Sequence, residues 1–135
     1  MKKIVVIDGQ GGGMGRQLIA AIKAAHPDLT LTAIGTNAIA TAAMIKAGAD
    51  RAATGENAVV VACRTADVII GPIGVVIADA LLGEITPAMA AAVGRSEAQK
   101  LLLPVNTCSN IVVGVADASI GALARKTIEL LEKML

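Results

Sequence analysis

Ile4-Val5-Val6-Ile7-Asp8-Gly9-Gln10-Gly11-Gly12-Gly13-Met14-Gly15 decides how the rest of the chain is read. Four apolar β-formers, Ile4 to Ile7, give a strand. Asp8 breaks it, and five glycines follow within seven residues. A helical pattern then runs from Arg16 to Ala25. A backbone that must turn sharply out of a strand needs glycine. The helix behind the loop begins with unpaired N–H groups and the positive end of a dipole. A phosphate approaches such a backbone only where no Cβ stands in the way. Strand, glycine loop and helix in this order make the opening of a phosphate-binding βαβ unit. A tight turn that binds nothing would need fewer glycines.

The elements beyond this unit alternate. Strand 1 is expected over Lys3–Asp8 and helix 1 over Gly13–Ala25, stopped by His26-Pro27-Asp28. Strand 2 spans Leu29–Ile34, a second helix Ala38–Ala47, and a short third strand Asp50–Ala53. A helix over Ala58–Arg64 precedes strand 4 at Asp67–Ile70. Two helices, Val75–Leu82 and Pro87–Val93, lead to strand 5 at Lys100–Val105. Ile111–Val115 reads as a sixth strand, and Ser119–Met134 as a closing amphipathic helix. The expected fold is α/β: a single three-layer domain over residues 1–135, with a mainly parallel sheet of five or six strands and helices on both faces. Strands without clean polar alternation agree with a sheet covered on both sides.

In such sheets ligands bind at the carboxyl ends of the strands. The unusual residues gather there, in Asp8–Gly15, Gly35–Asn37, Thr54–Asn57, Gly71–Gly74 and Asn106–Asn110. The candidate ligand-binding residues are Gly9, Gln10, Gly11, Gly12, Gly13, Met14, Gly15, Thr36, Asn37, Gly71, Pro72 and Asn106.

Totals bound the function. The chain has 135 residues, 55% of them hydrophobic and 17% charged, with a net charge of +1. So apolar a chain leaves much surface to bury, and a homo-oligomer, dimer or tetramer, is expected. Acids and bases are interspersed, which argues against a nucleic-acid partner. The longest apolar runs are too short to span a bilayer, so no membrane partner is expected. With Cys63 and Cys108 reduced and no export signal, the expected location is cytoplasmic. Phe, Tyr and Trp are absent, so no ring can stack on a base or flavin.

The spacing of Gly9, Gly12 and Gly15 is similar to that of extended short-chain dehydrogenases. Those act through a Tyr–Lys pair, and a chain without tyrosine cannot. NAD sites usually carry an acid at the end of strand 2; Gly35-Thr36-Asn37 stands there instead. Thr36 and Asn37 suit hydrogen bonds to a ribose or 2′-phosphate, and equally the capping of helix 2. The weak catalytic candidates are Asp8, Glu56 and Cys108. Asp8 lies against a helix N-terminus, where it orients a ligand or ties down the glycine loop through backbone N–H bonds. Glu56 opens helix 3, and Cys108 sits in a polar rim loop. His26, the sole histidine, falls about 20 Å from the glycine loop along helix 1. No residues have metal-ligand spacing.

Over most of its length the chain resembles domain-of-unknown-function family 3842, short uncharacterised bacterial proteins. The motifs are IDGQGGGMG (Ile7–Gly15), GTNAIATAAMIKAGAD (Gly35–Asp50), TGENAVV (Thr54–Val60), GPIGVVIADALLGEITPAMA (Gly71–Ala90) and PVN (Pro104–Asn106). That resemblance implies no activity. A looser one, on the glycine loop alone, is to Rossmann-type domains and implies NAD or NADP. The expected function is binding of a phosphorylated small ligand, such as a nucleotide. The alternatives are a small oligomeric enzyme with its site shared at a subunit interface, or a structural subunit of a larger complex.

Overall fold

The computed structural model describes residues 1–105, 107 and 109–135. The chain runs β1 (Ile4–Asp8), α1 (Gly13–Ala25), β2 (Leu31–Gly35), α2 (Ala38–Lys46), β3 (Arg51–Thr54), α3 (Glu56–Thr65), β4 (Val68–Pro72), a short 3-10 helix (Ile73–Val76), α4 (Pro87–Arg95), β5 (Gln99–Leu103) and α5 (Ile120–Glu132). All strand pairs are parallel, in the order β3-β2-β1-β4-β5. From β1 the chain works outward through β2 to β3, then returns to place β4 on the other side of β1. A crevice therefore opens at the carboxyl ends of β1 and β4, where such folds bind ligands.

Alternate residues of a strand point to opposite faces, and here both faces are buried. Ile4 and Val6 pack with Leu31, Val68 and Ile70 against Leu18, Ile19 and Ile22 of α1, Met44 of α2 and Leu131 of α5. Val5, Ile7, Ile34 and Ile69 pack against Val59 and Cys63 of α3 and Met89 and Val93 of α4. Each such side chain contributes about 1.5–3 kcal/mol on burial, so the α1 face, with Ile22 one turn beyond Leu18 and Ile19, anchors the loop before it. Helix starts follow their caps. Asn37 accepts the Ala40 N–H, Thr86 the Met89 N–H and Ser119 the Ala122 N–H, and Pro87 takes the first turn of α4. Among the described residues no helix is long and apolar enough to cross a membrane.

Two expectations need correction. Ile111–Val115 is not a strand; Gly114 turns at φ +85° and the Val115 N–H bonds to Val112 O. The apolar run Val75–Leu82 is not a helix. Beyond Val76 the backbone passes through left-handed conformations at Asp79 (φ +66°), Leu81 (+56°), Leu82 (+55°) and Gly83 (+90°). Side chains in that region cost about 1–2 kcal/mol each. The turn is offset by burying Leu81 and Ile85, each 1% exposed, at about 1.5–3 kcal/mol apiece. A straight helix could not bring both onto the sheet. Its hydrogen bonds close back on themselves: Asp79 N–H to Ile85 O at 2.7 Å, and Ile85 N–H to Ala80 O at 3.1 Å.

Candidate functional site: the glycine loop and its carboxylates

Asp8 ends β1 and is 2% exposed. Its Oδ1 accepts the Gly9 N–H at 2.8 Å and its Oδ2 the Gly15 N–H at 2.7 Å. One carboxylate thus holds both ends of the glycine loop. Burial pushes its pKa up, the two N–H donors pull it down and the neighbouring Glu84 charge pushes it up; the net shift is upward.

The five glycines divide by what a Cβ would meet. At Gly9 it would strike Thr36 Oγ1 at 2.5 Å and Leu81 Cδ1 at 2.9 Å. At Gly15 it would strike Met44 Sδ at 2.7 Å and Asp8 Cβ at 2.9 Å. Gly12 stands at φ +73°, and its Cβ would meet the Ala40 backbone at 2.8 Å. These three glycines let the loop pack against α2, β2 and β1. The Gly12 Cβ position faces α2, not a ligand. At Gly11 and Gly13 a Cβ would meet nothing within 4 Å.

The donors divide in the same way. The N–H groups of Gly9, Gln10, Gly12 and Gly15 are bonded within the protein. Among the described residues, those of Gly11, Gly13 and Met14 have no acceptor. All three residues line a cavity of about 210 Å³, together with Asp8, Gly9, Gln10, Gly12, Gln17, Val105 and Ile120. Ile120 opens α5, so two helix N-termini, of α1 and α5, border one cavity.

Glu84 closes the other side of the loop. Its Oε1 accepts Thr36 Oγ1–H at 2.6 Å, Asn37 Nδ2–H at 2.7 Å and the Gln10 N–H at 2.9 Å. Partial burial pushes the Glu84 pKa up, but the donors Thr36, Gln10 and Asn37 outweigh it, and the net shift is downward. A carboxylate does therefore stand at the end of β2, contrary to the sequence reading. It arrives from beyond β4 and not from β2 itself. Its one trace in the sequence is faint: Glu84 is one of two acids in the apolar stretch Ile73–Gly94.

Of the other candidates, Thr36 and Asn37 are already engaged by Glu84, and Asn37 also caps α2 and donates to Gln10 O at 2.9 Å. Gly71 and Pro72 are buried at the end of β4; a Cβ on Gly71 would strike Ile7 O at 2.6 Å. Neither lines the cavity. Glu56 is exposed in the first turn of α3, beyond β3, two strand spacings or about 10 Å from β1. His26 ends α1, its Nε2 2.9 Å from Glu132 Oε2. Cys63 is buried in the core, where burial raises its thiol pKa against the opposing effect of Lys100. Asn106 and Cys108 lie outside the described residues. Among the described residues no group of three or more His, Cys, Asp or Glu is placed to hold a metal.

Fold and loop together define a parallel α/β protein with a glycine-rich strand-loop-helix at its topological switch point. The model of the domain of unknown function DUF3842 matches residues 3–135, and the chain belongs to that family. No curated protein matches it. Among solved structures it is similar to the dodecameric FMN-dependent Ubix-like decarboxylase from Escherichia coli O157:H7, at 19% identity and a TM-score of 0.44, over 99% of this chain and 76% of that one. At that level the likeness says nothing of this chain's chemistry.

Proposed function

We propose that the chain binds the phosphate groups of a nucleotide, or of NAD or NADP, on the backbone of Gly11–Met14, with residues 1–135 acting as one binding domain. One observation carries this reading: the N–H groups of Gly11, Gly13 and Met14, without acceptors among the described residues, belong to residues that line one cavity, and two of the three carry no Cβ. Backbone donors at a helix start suit an anion. The cavity, at about 210 Å³, is smaller than the roughly 300–1,000 Å³ of sites that enclose whole ligands. It suits a phosphate or pyrophosphate, with the nucleoside lying over the surface outside it. Aromatic stacking, worth about 1–3 kcal/mol per base elsewhere, is unavailable to a chain without aromatics. Two carboxylates, Asp8 and Glu84, also stand close to the loop, so dissociation constants weaker than about 1 μM are expected.

Calorimetric titration of pyrophosphate, ADP, ATP, NAD and NADP tests the reading. Saturable binding of pyrophosphate and at least one nucleotide supports it. Silence from all five up to millimolar concentration overturns it and favours the structural subunit.

The same chain is proposed to form a homo-oligomer, dimer or tetramer. Ile39, Ala42 and Ile45 make an exposed stripe on α2, and the edge strand β3 is exposed throughout. The segments Val75–Leu82 and Pro87–Val93 offer less to a partner, because they turn Val75, Leu81, Met89 and Val93 into the core. Light scattering that finds only a 13.5 kDa species at micromolar concentration contradicts this assembly.

A further inference from the structure

We propose that Glu84 reads the ribose of the bound nucleotide and selects a free 2′,3′-diol over a 2′-phosphate. The inference rests on the phosphate site proposed above. Three observations lead to it.

The first is position. Glu84 bonds to Thr36 and Asn37, the first two residues after β2, and to the Gln10 N–H. Nucleotide-binding sheets hold the ribose hydroxyls beside the end of this strand. Gln10 adjoins Gly11, the first of the free donors, and consecutive Cα atoms are about 3.8 Å apart. Carboxylate and phosphate cradle therefore stand within the span of one nucleoside phosphate.

The second is capacity. Both oxygens of Asp8 accept loop N–H groups. Glu84 uses Oε1 for all three of its donors, and Oε2 takes none among the described residues. A vicinal diol supplies O–H donors to such an oxygen. A 2′-phosphate supplies none at neutral pH and brings like charge. Arg16, on α1 just after the loop, is exposed.

The third is construction. Asp79, Leu81 and Leu82, all left-handed without being glycine, lead directly into Glu84. Strain of this kind persists where the surroundings hold a group in place, and it gathers at binding sites. Here it delivers one carboxylate to a loop 74 residues earlier in the chain.

A purely structural clamp would use the same three hydrogen bonds, so the test must separate clamp from reader. In Glu84→Gln the amide oxygen can still accept from Thr36, Asn37 and Gln10, while the second atom becomes a donor and can no longer accept from a hydroxyl. Pyrophosphate, ADP, 2′,3′-dideoxy-ADP, NAD and NADP are titrated calorimetrically against both proteins, with circular dichroism melting alongside. For wild type, ADP should bind at least about tenfold tighter than dideoxy-ADP, and NAD tighter than NADP by a similar factor, the scale of a hydrogen bond to a charged group. In Glu84→Gln both ratios should fall to within about twofold. Equal binding of ADP and dideoxy-ADP by wild type overturns the inference and leaves the phosphate site standing. Failure of pyrophosphate and every nucleotide to bind overturns both. Ratios that survive in a folded Glu84→Gln protein make Glu84 a clamp only. The wild-type comparison alone decides if the variant does not fold.

Discussion

Asp8 Oδ2 accepts the Gly15 N–H at 2.7 Å, so the carboxylate that ends β1 also holds the first turn of α1. Burial raises the Asp8 pKa above its ordinary value of 3.8, against the lowering by the Gly15 and Gly9 N–H groups. The folded state then binds a proton more tightly than the unfolded state. Its contribution to stability is full below the unfolded pKa and is lost as pH rises through the folded one. Asp50 and Glu84 are shifted the other way, so their contributions are lost as pH falls. Comparing wild type with Asp8→Asn isolates the first effect. The stability difference, wild type minus Asp8→Asn, should fall as pH rises from 3.8 toward neutrality in urea unfolding. A flat or rising difference contradicts the assignment.

Gly12 and Gly13 are neighbours with opposite expectations. Gly12→Ala places a Cβ 2.8 Å from the Ala40 backbone at φ +73°, and should cost about 1–3 kcal/mol. Gly13→Ala meets nothing within 4 Å and replaces a glycine in a helix, a change worth up to about 1 kcal/mol of added stability. Gly13 nevertheless lines the cavity proposed to take phosphate. Thermal melting should therefore rank Gly13→Ala at or above wild type and Gly12→Ala well below. Pyrophosphate affinity should fall in Gly13→Ala although the protein is no less stable.

Leu82 is 95% exposed at φ +55°. Leu82→Gly removes about 1–2 kcal/mol of left-handed strain and adds about 0.5–1 kcal/mol of backbone entropy cost. Little packing is lost. A net gain of about 0.5–1 kcal/mol in chemical denaturation is expected. A loss of more than about 1 kcal/mol would show that Leu82 makes a contact in the assembled protein.

The fold was legible because both faces of the sheet are covered: IVVI and VII read as buried strands, and glycine, proline and Asn mark the ends. Strand 5, expected to run on to Val105, stops instead at Leu103, before Pro104, which has no N–H to give the ladder. Three things were not legible. The run VVIADALL has a helix's apolar spacing, and its left-handed turn depends on Leu81 and Ile85 reaching a sheet the sequence does not display. Glycine spacing says nothing about sides: Gly12, one of the candidate ligand-binding residues, turns its Cβ side to Ala40. Glu84 pairs with Gln10, Thr36 and Asn37 from 74, 48 and 47 residues away, a separation no local pattern can carry.

Cys63 is buried with its thiol pKa raised chiefly by desolvation. Only the thiolate attacks electrophiles. Its modification by a thiol reagent should wait for global unfolding, with the rate rising in step with the unfolded fraction in urea. Rapid modification of Cys63 in native protein, read by peptide mass, would contradict its place on the buried face of α3.

Phosphate should sit on the free N–H groups of Gly11, Gly13 and Met14. Amide spectra of nitrogen-15-labelled protein, titrated with pyrophosphate, test it directly. Saturable shifts should be concentrated at Gly11, Gly13 and Met14, with smaller ones at Gln10 and Ile120 and none at Glu56 or Val60. Shifts absent from Gly11–Met14 at millimolar pyrophosphate, or centred on another part of the surface, would contradict it.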